Sequence, residues 1–406
     1  MEKLRVLHFA DCHLRDDDQL PEKINCLDFL ADYAKDELPG IIVCAGDVFD
    51  SQYVRLDSQS AKYAFDLFER LSNIAPTFII SGTPSHEGSA TEVFSKISGE
   101  HPVYVATQPD QTVAKIRGKS GPAALVTCIP AFTKQYLETD QGVEGSDHQA
   151  AKLVAGMMMG FGTTVTRFSH IPHIVVGHFQ VRGSKVSETQ ILTGVDIEVD
   201  IDSILCAQPD LVCLGHIHKA QEVYPQPAMF YSGSTQSLNW GELDEKGFYL
   251  HIIGQDDDGF FTSSEFIPTP SVKRVRVSAD LTDGAGLKEL DLALYSEDAE
   301  TVNGAKVRFE AKIFVDEADA LDADSIKDFF MSAGAKSCDV IRIRVPRVNV
   351  RASRLVQMES LRDRIAERAK IIGDCIDPGV LEKAKLLEAH PDNISEYLEG
   401  GGRHAK

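Results

Sequence analysis

The sequence predicts a layered α/β protein with mixed sheets, followed by a small α+β unit and terminal helices. Three observations carry this. Up to about residue 270, short apolar runs alternate with segments whose apolar residues recur at helical spacing. In the second half of that stretch several runs follow one another without long helices between them, which suits mixed rather than purely parallel sheets. Five of the runs end directly in Asp or His, at the carboxyl ends of strands, where α/β sheets bind ligands.

In order, strands are expected at Arg5–Ala10, Ile41–Ala45, Thr77–Ser81, Val103–Ala106, Ala124–Ile129, His173–Gly177, Leu211–Gly215 and Met229–Ser232. Helices are expected within Glu22–Asp36, Ser58–Ser72 and Asp147–Gly156. Pro268-Thr269-Pro270 marks a boundary. Beyond it come strands at Lys273–Val277, Ala305–Val315 and Asp339–Val345, with a helix at Ala323–Ser332. From Ser353 to Ile372 the pattern is helical, with Leu355, Met358, Leu361, Ile365 and Ile372 on one side, and a second helical piece follows Pro378-Gly379. The chain therefore divides into residues 1–270, 271–346 and 347–406, the last ending in a tail expected to be disordered. A length of 406 residues agrees with two or three domains of about 150 residues each.

Composition narrows the function classes. Hydrophobic residues make up 43% and charged residues 25%, enough to bury a sizeable core. With 41 Lys and Arg against 62 Asp and Glu, the formal charge is −21. That excludes a generally basic coating protein, although bound divalent ions and one basic patch can still bring phosphates to an acidic chain. The eight cysteines form no C-x-x-C pair, and several lie in apolar runs. They read as small buried hydrophobes in a reducing compartment, and with no secretory signal or membrane-length apolar run the expected location is cytoplasmic.

Asp11 and His13 follow the first strand, Asp47 the second, His86 the third, His178 the run HIVVG, and His216 with His218 the run LVCLG. Taken singly, each is more often a surface residue than a ligand; five strand ends agreeing is another matter. Asp11-Cys12-His13 and His216-Ile217-His218 are i, i+2 pairs, which on an extended backbone project to one side while Cys12 and Ile217 point away. Gly46, Gly177 and Gly215 precede candidate ligands and let the backbone pass close to them. Imidazole with carboxylate and no thiolate suits Mn²⁺, Fe²⁺ or Zn²⁺. Six or seven such ligands exceed what one ion needs, so a two-metal centre is expected.

The ordered motifs DCHL, AGDVFD, GTPSHE, GHFQV and LGHIH resemble those of calcineurin-like metallophosphoesterases. With YSGSTQSLNWGE they are similar, more narrowly, to the SbcD-type nuclease subunit of a double-strand-break-repair complex. The resemblance implies a four-layer α/β/β/α catalytic domain, a capping domain and ATPase-binding helices. It implies that Asp11, His13, Asp47 and His218 hold one ion, Mn²⁺ above all with Mg²⁺ also acceptable, and that Asp47 bridges to a second held by His178 and His216. His86 would stabilise or protonate the departing oxygen, and Asp50 takes the family's second acidic position. The family's Asn ligand is missing; Ser85, Thr83 or water would replace it, with Ser85 directly before His86. The implied reaction is cleavage of DNA phosphodiesters, as a 3′→5′ exonuclease and single-strand endonuclease. The alternatives are a phosphoesterase for small phosphoesters and a weakly active adaptor for the ATPase.

Two further features concern partners. Between Val340 and Met358, Arg342, Arg344, Arg347, Arg351 and Arg354 occur with no acid. Arg342 and Arg344 alternate with Ile341, Ile343 and Val345, so an outer basic face over an apolar inner one is expected, either a solvated edge or a DNA phosphate contact. The apolar stripe after Ser353 is either core or the docking face for an SbcC-type ATPase. A homodimer is also allowed.

Overall fold

The computed structural model describes residues 3–115, 122–131, 147–187, 190, 198–282, 301–347, 358, 360–373 and 375–389. Backbone contacts divide the chain into two compact units, one of Met1–Ala279, Asp291–Glu310 and Asp322–Ile341, the other of Asp280–Leu290, Ala311–Leu321 and Arg342–Lys406.

The first unit opens with β1 (Leu4–Phe9), α1 (Leu20–Glu37), β2 (Ile41–Cys44), α2 (Gln59–Ser72), β3 (Thr77–Ile80), α3 (Pro84–Glu87) and β4 (Val103–Ala106). It continues through β5 (Asp110–Lys115), β6 (Pro122–Ile129), α4 (Asp147–Val165), β7 (His173–His178), β8 (Gln180–Val181), β9 (Glu198–Val199), α5 (Ile201–Leu205) and β10 (Leu211–Gly215). Then come β11 (Gln221–Tyr224), β12 (Ala228–Tyr231), β13 (Gly247–Asp256) and β14 (Gly259–Pro268). Two six-stranded sheets result, ordered β14-β13-β1-β2-β3-β4 and β11-β12-β10-β7-β6-β5. Strands β1 to β4 run parallel, as do β12, β10, β7 and β6, while the outer strands turn antiparallel.

The sequence dictates this layering because its central strands are apolar on both faces. Val6, Val43, Phe78, Val126, Val176 and Cys213 meet in a core between the sheets. Leu7, Ile42 and Ile79 face the other way, against Leu27 and Leu30 of α1 and Leu67 and Phe68 of α2. Val175, Val212 and Met229 pack against Val154 and Met158 of α4 and Ile204 of α5. The order of layers is therefore α/β/β/α. Helix α2 starts where Ser58 caps the backbone N–H of Ala61 at 3.1 Å.

The long hairpin of β13 and β14 is absent from the expected strands, although the Asp258-Gly259 dipeptide where the turn meets β14 is a hairpin signal. It completes the first sheet by pairing β13 antiparallel to β1.

A three-stranded sheet, β15 (Arg274–Asp280), β16 (Lys306–Phe314) and β17 (Ser337–Val345), accompanies α6 (Ala323–Ser332). On β17 the expected inner face is not covered: Ile341 and Ile343 are 41% and 45% exposed, while Arg342 is half-buried and Arg344 exposed. The reason is local pairing. Arg342 donates to the Leu321 carbonyl at 3.1 Å, Arg344 to Asp319 at 3.3 Å, and Arg347 to Asp316 and Glu317. Arg344 and Arg347 pair with acids distant in sequence while staying exposed; Arg351 and Arg354 lie outside the described residues.

Helices α7 (Leu361–Ile372) and α8 (Pro378–Ala389) end the described chain. Ser360 caps α7, and its hydroxyl donates to Glu388 of α8 at 3.2 Å. Ala369 and Ala384 are buried, while Leu361, Val380 and Leu386 stay exposed. The stripe residue Leu355 and the tail lie outside the described residues. No helix among the described residues is long and apolar enough to cross a membrane.

Candidate metal centre

The carboxyl ends of β1, β2, β3, β7, β10 and β12 fall on one edge of the paired sheets, because parallel strands all point the same way. Side chains at those ends converge from distant parts of the sequence. Asp11, His13 and His218 offer donor atoms within 4.8 Å of one another, as do Asp11, Asp47 and His178, and His13, Asp50 and His86. His216 stands beside His178, with ring centroids 5.2 Å apart, and its backbone N–H donates to Asp11 Oδ1 at 3.0 Å.

The i, i+2 pairs meet the site by a different route from extended backbone. Asp11, His13, Asp47 and His216 have φ of 52°, 45°, 51° and 91°, four of the six non-glycine residues with positive φ among those described. Such strain persists only where surrounding structure over-determines it, and it gathers at functional sites. Here Asp11 N–H is held by the Gly46 carbonyl and His13 N–H by the Asp47 carbonyl, both at 3.0 Å. Cys12 and Ile217 are buried, pointing away as expected. Glycine is required at 82, where a Cβ would collide with the Asp47 carboxylate and backbone nitrogen, and at 46, whose φ is 92° beside the His178 ring.

Three of the imidazoles are held through Nδ1. His13 Nδ1 donates to Asp50 at 3.2 Å, His218 Nδ1 to Glu242 at 2.9 Å, and His178 Nδ1 to the Ala45 carbonyl at 2.7 Å. In neutral rings this leaves every Nε2 with a lone pair. Yet His13 Nε2 faces His218 Nε2 at 3.2 Å, and His178 Nε2 faces Asp47 Oδ2 at 3.3 Å. Acceptor opposed to acceptor in a buried space is unfavourable unless a cation lies between. The donor set, nitrogen and carboxylate oxygen, therefore fits divalent transition ions.

The electrostatics agree. Burial pushes the Asp47 carboxyl up, but His178, His86 and His13 outweigh it and hold it well below the usual carboxylate range. Burial drives the His178 imidazole down, yet Asp47 and Asp11 raise it to about 9. Without metal, a proton thus takes the cation's place. His216 is lowered to about 3, chiefly by burial and then by His178, and so stays neutral as a ligand must.

His86 is the most exposed of these imidazoles, at 35%, and its Nδ1 bonds Asp47 Oδ2 at 2.9 Å. Burial alone would lower it; Asp47 and Asp50 turn the shift upward. Asp50 reaches His13 rather than an open position. Ser85 is exposed, while Thr83 approaches Asp47 and His178. Glu87 ties the loops together by accepting the backbone N–H groups of Val48 and Gly82.

Sequence reasoning missed Glu242. It is fully buried between His218 and Lys246, whose ammonium lies 3.0 Å from the carboxylate. A signal existed, since Glu242 lies in the YSGSTQSLNWGE stretch after β12. A fourth cluster, His8, Cys213 and His251, lies in the core between the sheets. Its histidines form a closed hydrogen-bond chain from Ser264 through His251 and His8 to the Leu214 carbonyl.

The chain has the layered α/β/β/α fold expected from its motifs' resemblance to calcineurin-like metallophosphoesterases. In sequence it is similar to the SbcD component of the nuclease SbcCD. The Staphylococcus saprophyticus protein is 24% identical over 286 residues, 68% of this chain and 71% of that one. The Escherichia coli K12 protein is 24% identical over 269 residues, 62% of this chain and 64% of its own length, just under two thirds. The Staphylococcus epidermidis protein is 23% identical over 293 residues, 68% of this chain and 72% of that one. Among solved structures, a dimetal phosphatase from Danio rerio aligns at a TM-score of 0.42 with 9% identity, over 66% of this chain and 99% of its own. No family model matches the chain.

Proposed function

We propose that this protein is a two-metal DNA phosphodiesterase acting with an SbcC-type ATPase in double-strand-break repair. The observation that carries the metal dependence is the opposition of His13 Nε2 and His218 Nε2 at 3.2 Å, each ring fixed by a carboxylate behind it. The likeness to the SbcD component of SbcCD nucleases supports DNA as the substrate and the ATPase as the partner.

Asp11, His13, Asp47 and His218 would hold one ion, and Asp47, His178 and His216 the other, Mn²⁺ being the proposed metal. Bound there, the pair supplies Lewis acidity to the scissile phosphate and activates water. The protein's own part is to hold its ligands and to move a proton. Asp50 and Glu242 keep the imidazoles of His13 and His218 turned so that Nε2 faces the centre. His86 is charged most readily when Asp47 and Asp50 are ionised, so it can donate a proton to the departing oxygen. Arg342, Arg344 and Arg347 retain guanidinium donors beyond those paired internally, and with Arg351 they are the proposed contacts to DNA phosphates. Residues 1–270 would form the nuclease domain, 271–346 the cap and 347–406 the ATPase-binding segment of a cytoplasmic protein.

The test compares a 5′-labelled duplex with a small phosphomonoester, each with and without Mn²⁺. Metal-dependent shortening of the duplex from its 3′ end is expected. Turnover of the monoester with an untouched duplex would overturn the DNA assignment.

A further inference from the structure

We infer that the Thr83 hydroxyl is a ligand of the second metal position, which gives this chain a hydroxyl-coordinated ion there. The inference rests on the dimetal reading above and deepens it. Thr83 Oγ1, His178 Nε2 and Asp47 Oδ2 stand 3.3 Å from one another, an equilateral triangle of donor atoms. Adjacent ligands bound at about 2.1 Å are separated by about 3.0 Å around an octahedral ion and by about 3.4 Å around a tetrahedral one. The triangle therefore has the spacing of one face of a coordination shell.

The hydroxyl is committed to this site and not to the helix that follows. Thr83 occupies the residue before α3, where a threonine side chain commonly accepts a backbone N–H from the first turn. It makes no such bond. Its Oγ1 is directed instead at Asp47 and His178. The backbone is fixed independently of that hydroxyl: Thr83 N–H donates to Asp47 Oδ1 at 2.6 Å, and the Thr83 carbonyl accepts from His86 N–H at 2.8 Å. Gly82, which tolerates no Cβ against Asp47, lets this backbone lie over the carboxylate.

Ser85 cannot share the role without rearrangement. It lies on the far side of Pro84, exposed, with its carbonyl receiving the N–H of Gln52 at 3.3 Å. A neutral hydroxyl oxygen is a hard donor, of the kind that holds Mg²⁺ in phosphate-binding loops. With Asp47, His178 and His216 it makes an O₂N₂ set, harder than one with a third imidazole in its place, and this favours Mn²⁺ or Mg²⁺ over softer ions at this position.

The experiment titrates Mn²⁺ into the full chain by calorimetry, with the exchange-coupled Mn²⁺ pair read by electron paramagnetic resonance. The unmodified protein is expected to bind two ions. Thr83→Val keeps the shape and Thr83→Ala the backbone contact to Asp47; both should weaken the second ion by about tenfold or more and lose the coupled signal, leaving the first ion unchanged. Thr83→Ser should retain both ions, and so should Ser85→Ala. Metal-free melting temperatures identify any variant that has failed to fold, and the Thr83→Ser and Thr83→Val pair then decides the matter. Two ions bound normally by Thr83→Val, or a second ion lost in Ser85→Ala, would overturn the inference alone. A protein that binds no ion at all would overturn the dimetal reading and this inference with it.

Discussion

Glu242 accepts the Nδ1–H of His218 at 2.9 Å from a position with no solvent exposure, and Lys246 neutralises it from 3.0 Å away. The pair fixes the tautomer of His218 and aims its Nε2 at Asp11 and His13. Glu242→Gln should weaken the first ion by roughly ten- to hundredfold, as loss of a partner behind a metal-binding histidine does. Competition titration against a chelator measures this; unchanged affinity would mean that Glu242 serves the fold alone.

The same carboxylate links stability to pH. Burial raises it, but His218 and Lys246 outweigh burial and hold it at about 2. A depressed carboxyl stabilises the fold above its ordinary value of about 4.5, and that contribution is lost as pH falls toward 2. On the order of 2 kcal/mol should therefore disappear between pH 6 and pH 2.5 in metal-free protein. Urea unfolding of the wild type and Glu242→Gln at both pH values checks it, the variant being expected to show the smaller change.

His86→Ala should lower turnover by about 10²–10⁴-fold while both ions remain, because proton donation is removed and no ligand is. Asp47→Ala should lose metal and activity together, since Asp47 faces His178, His86 and His13 at once. Metal analysis beside the rate assay separates the two. If His86→Ala sheds metal in proportion to activity, His86 is a ligand.

Gly82→Ala places a methyl group against the Asp47 carboxylate and its backbone nitrogen. Overpacking of this kind costs roughly 1–3 kcal/mol, and here the displaced atoms are ligands. Lower thermal stability together with weaker binding of the second ion is expected. A variant that melts like the wild type would show that the loop can give way.

Val380 and Leu386 are each 45% exposed on α8. Replacing both with Asp in the full chain should cost little stability, since exposed positions usually change it by about 0.5 kcal/mol or less. Co-purification with the proposed SbcC-type ATPase should be lost while hydrolysis of a small phosphodiester persists. Undiminished co-purification would remove α8 from the docking face.

The strand–loop order and the residue types at strand ends were legible along the chain because both are local properties. Apolar runs reveal strands, parallel strands share a direction, and Asp11, His13, Asp47, His86, His178, His216 and His218 stand at ends that must gather on one edge. The β13–β14 hairpin was less legible, being a mixture of buried and exposed faces on an outer part of the sheet. Tertiary structure decided the rest. His216 and His218 part company because positive φ at His216 rotates the pair out of the extended geometry that local spacing assumes. Thr83 rather than Ser85 meets His178 because Gly82 lets the loop lie on Asp47, a contact 36 residues away in sequence. Glu242 reaches His218, Asp319 pairs with Arg344, and Asp316 and Glu317 pair with Arg347, through pairings between segments that only packing brings together. Charge and hydrogen bonding act through space, so their partners are set by the assembled chain.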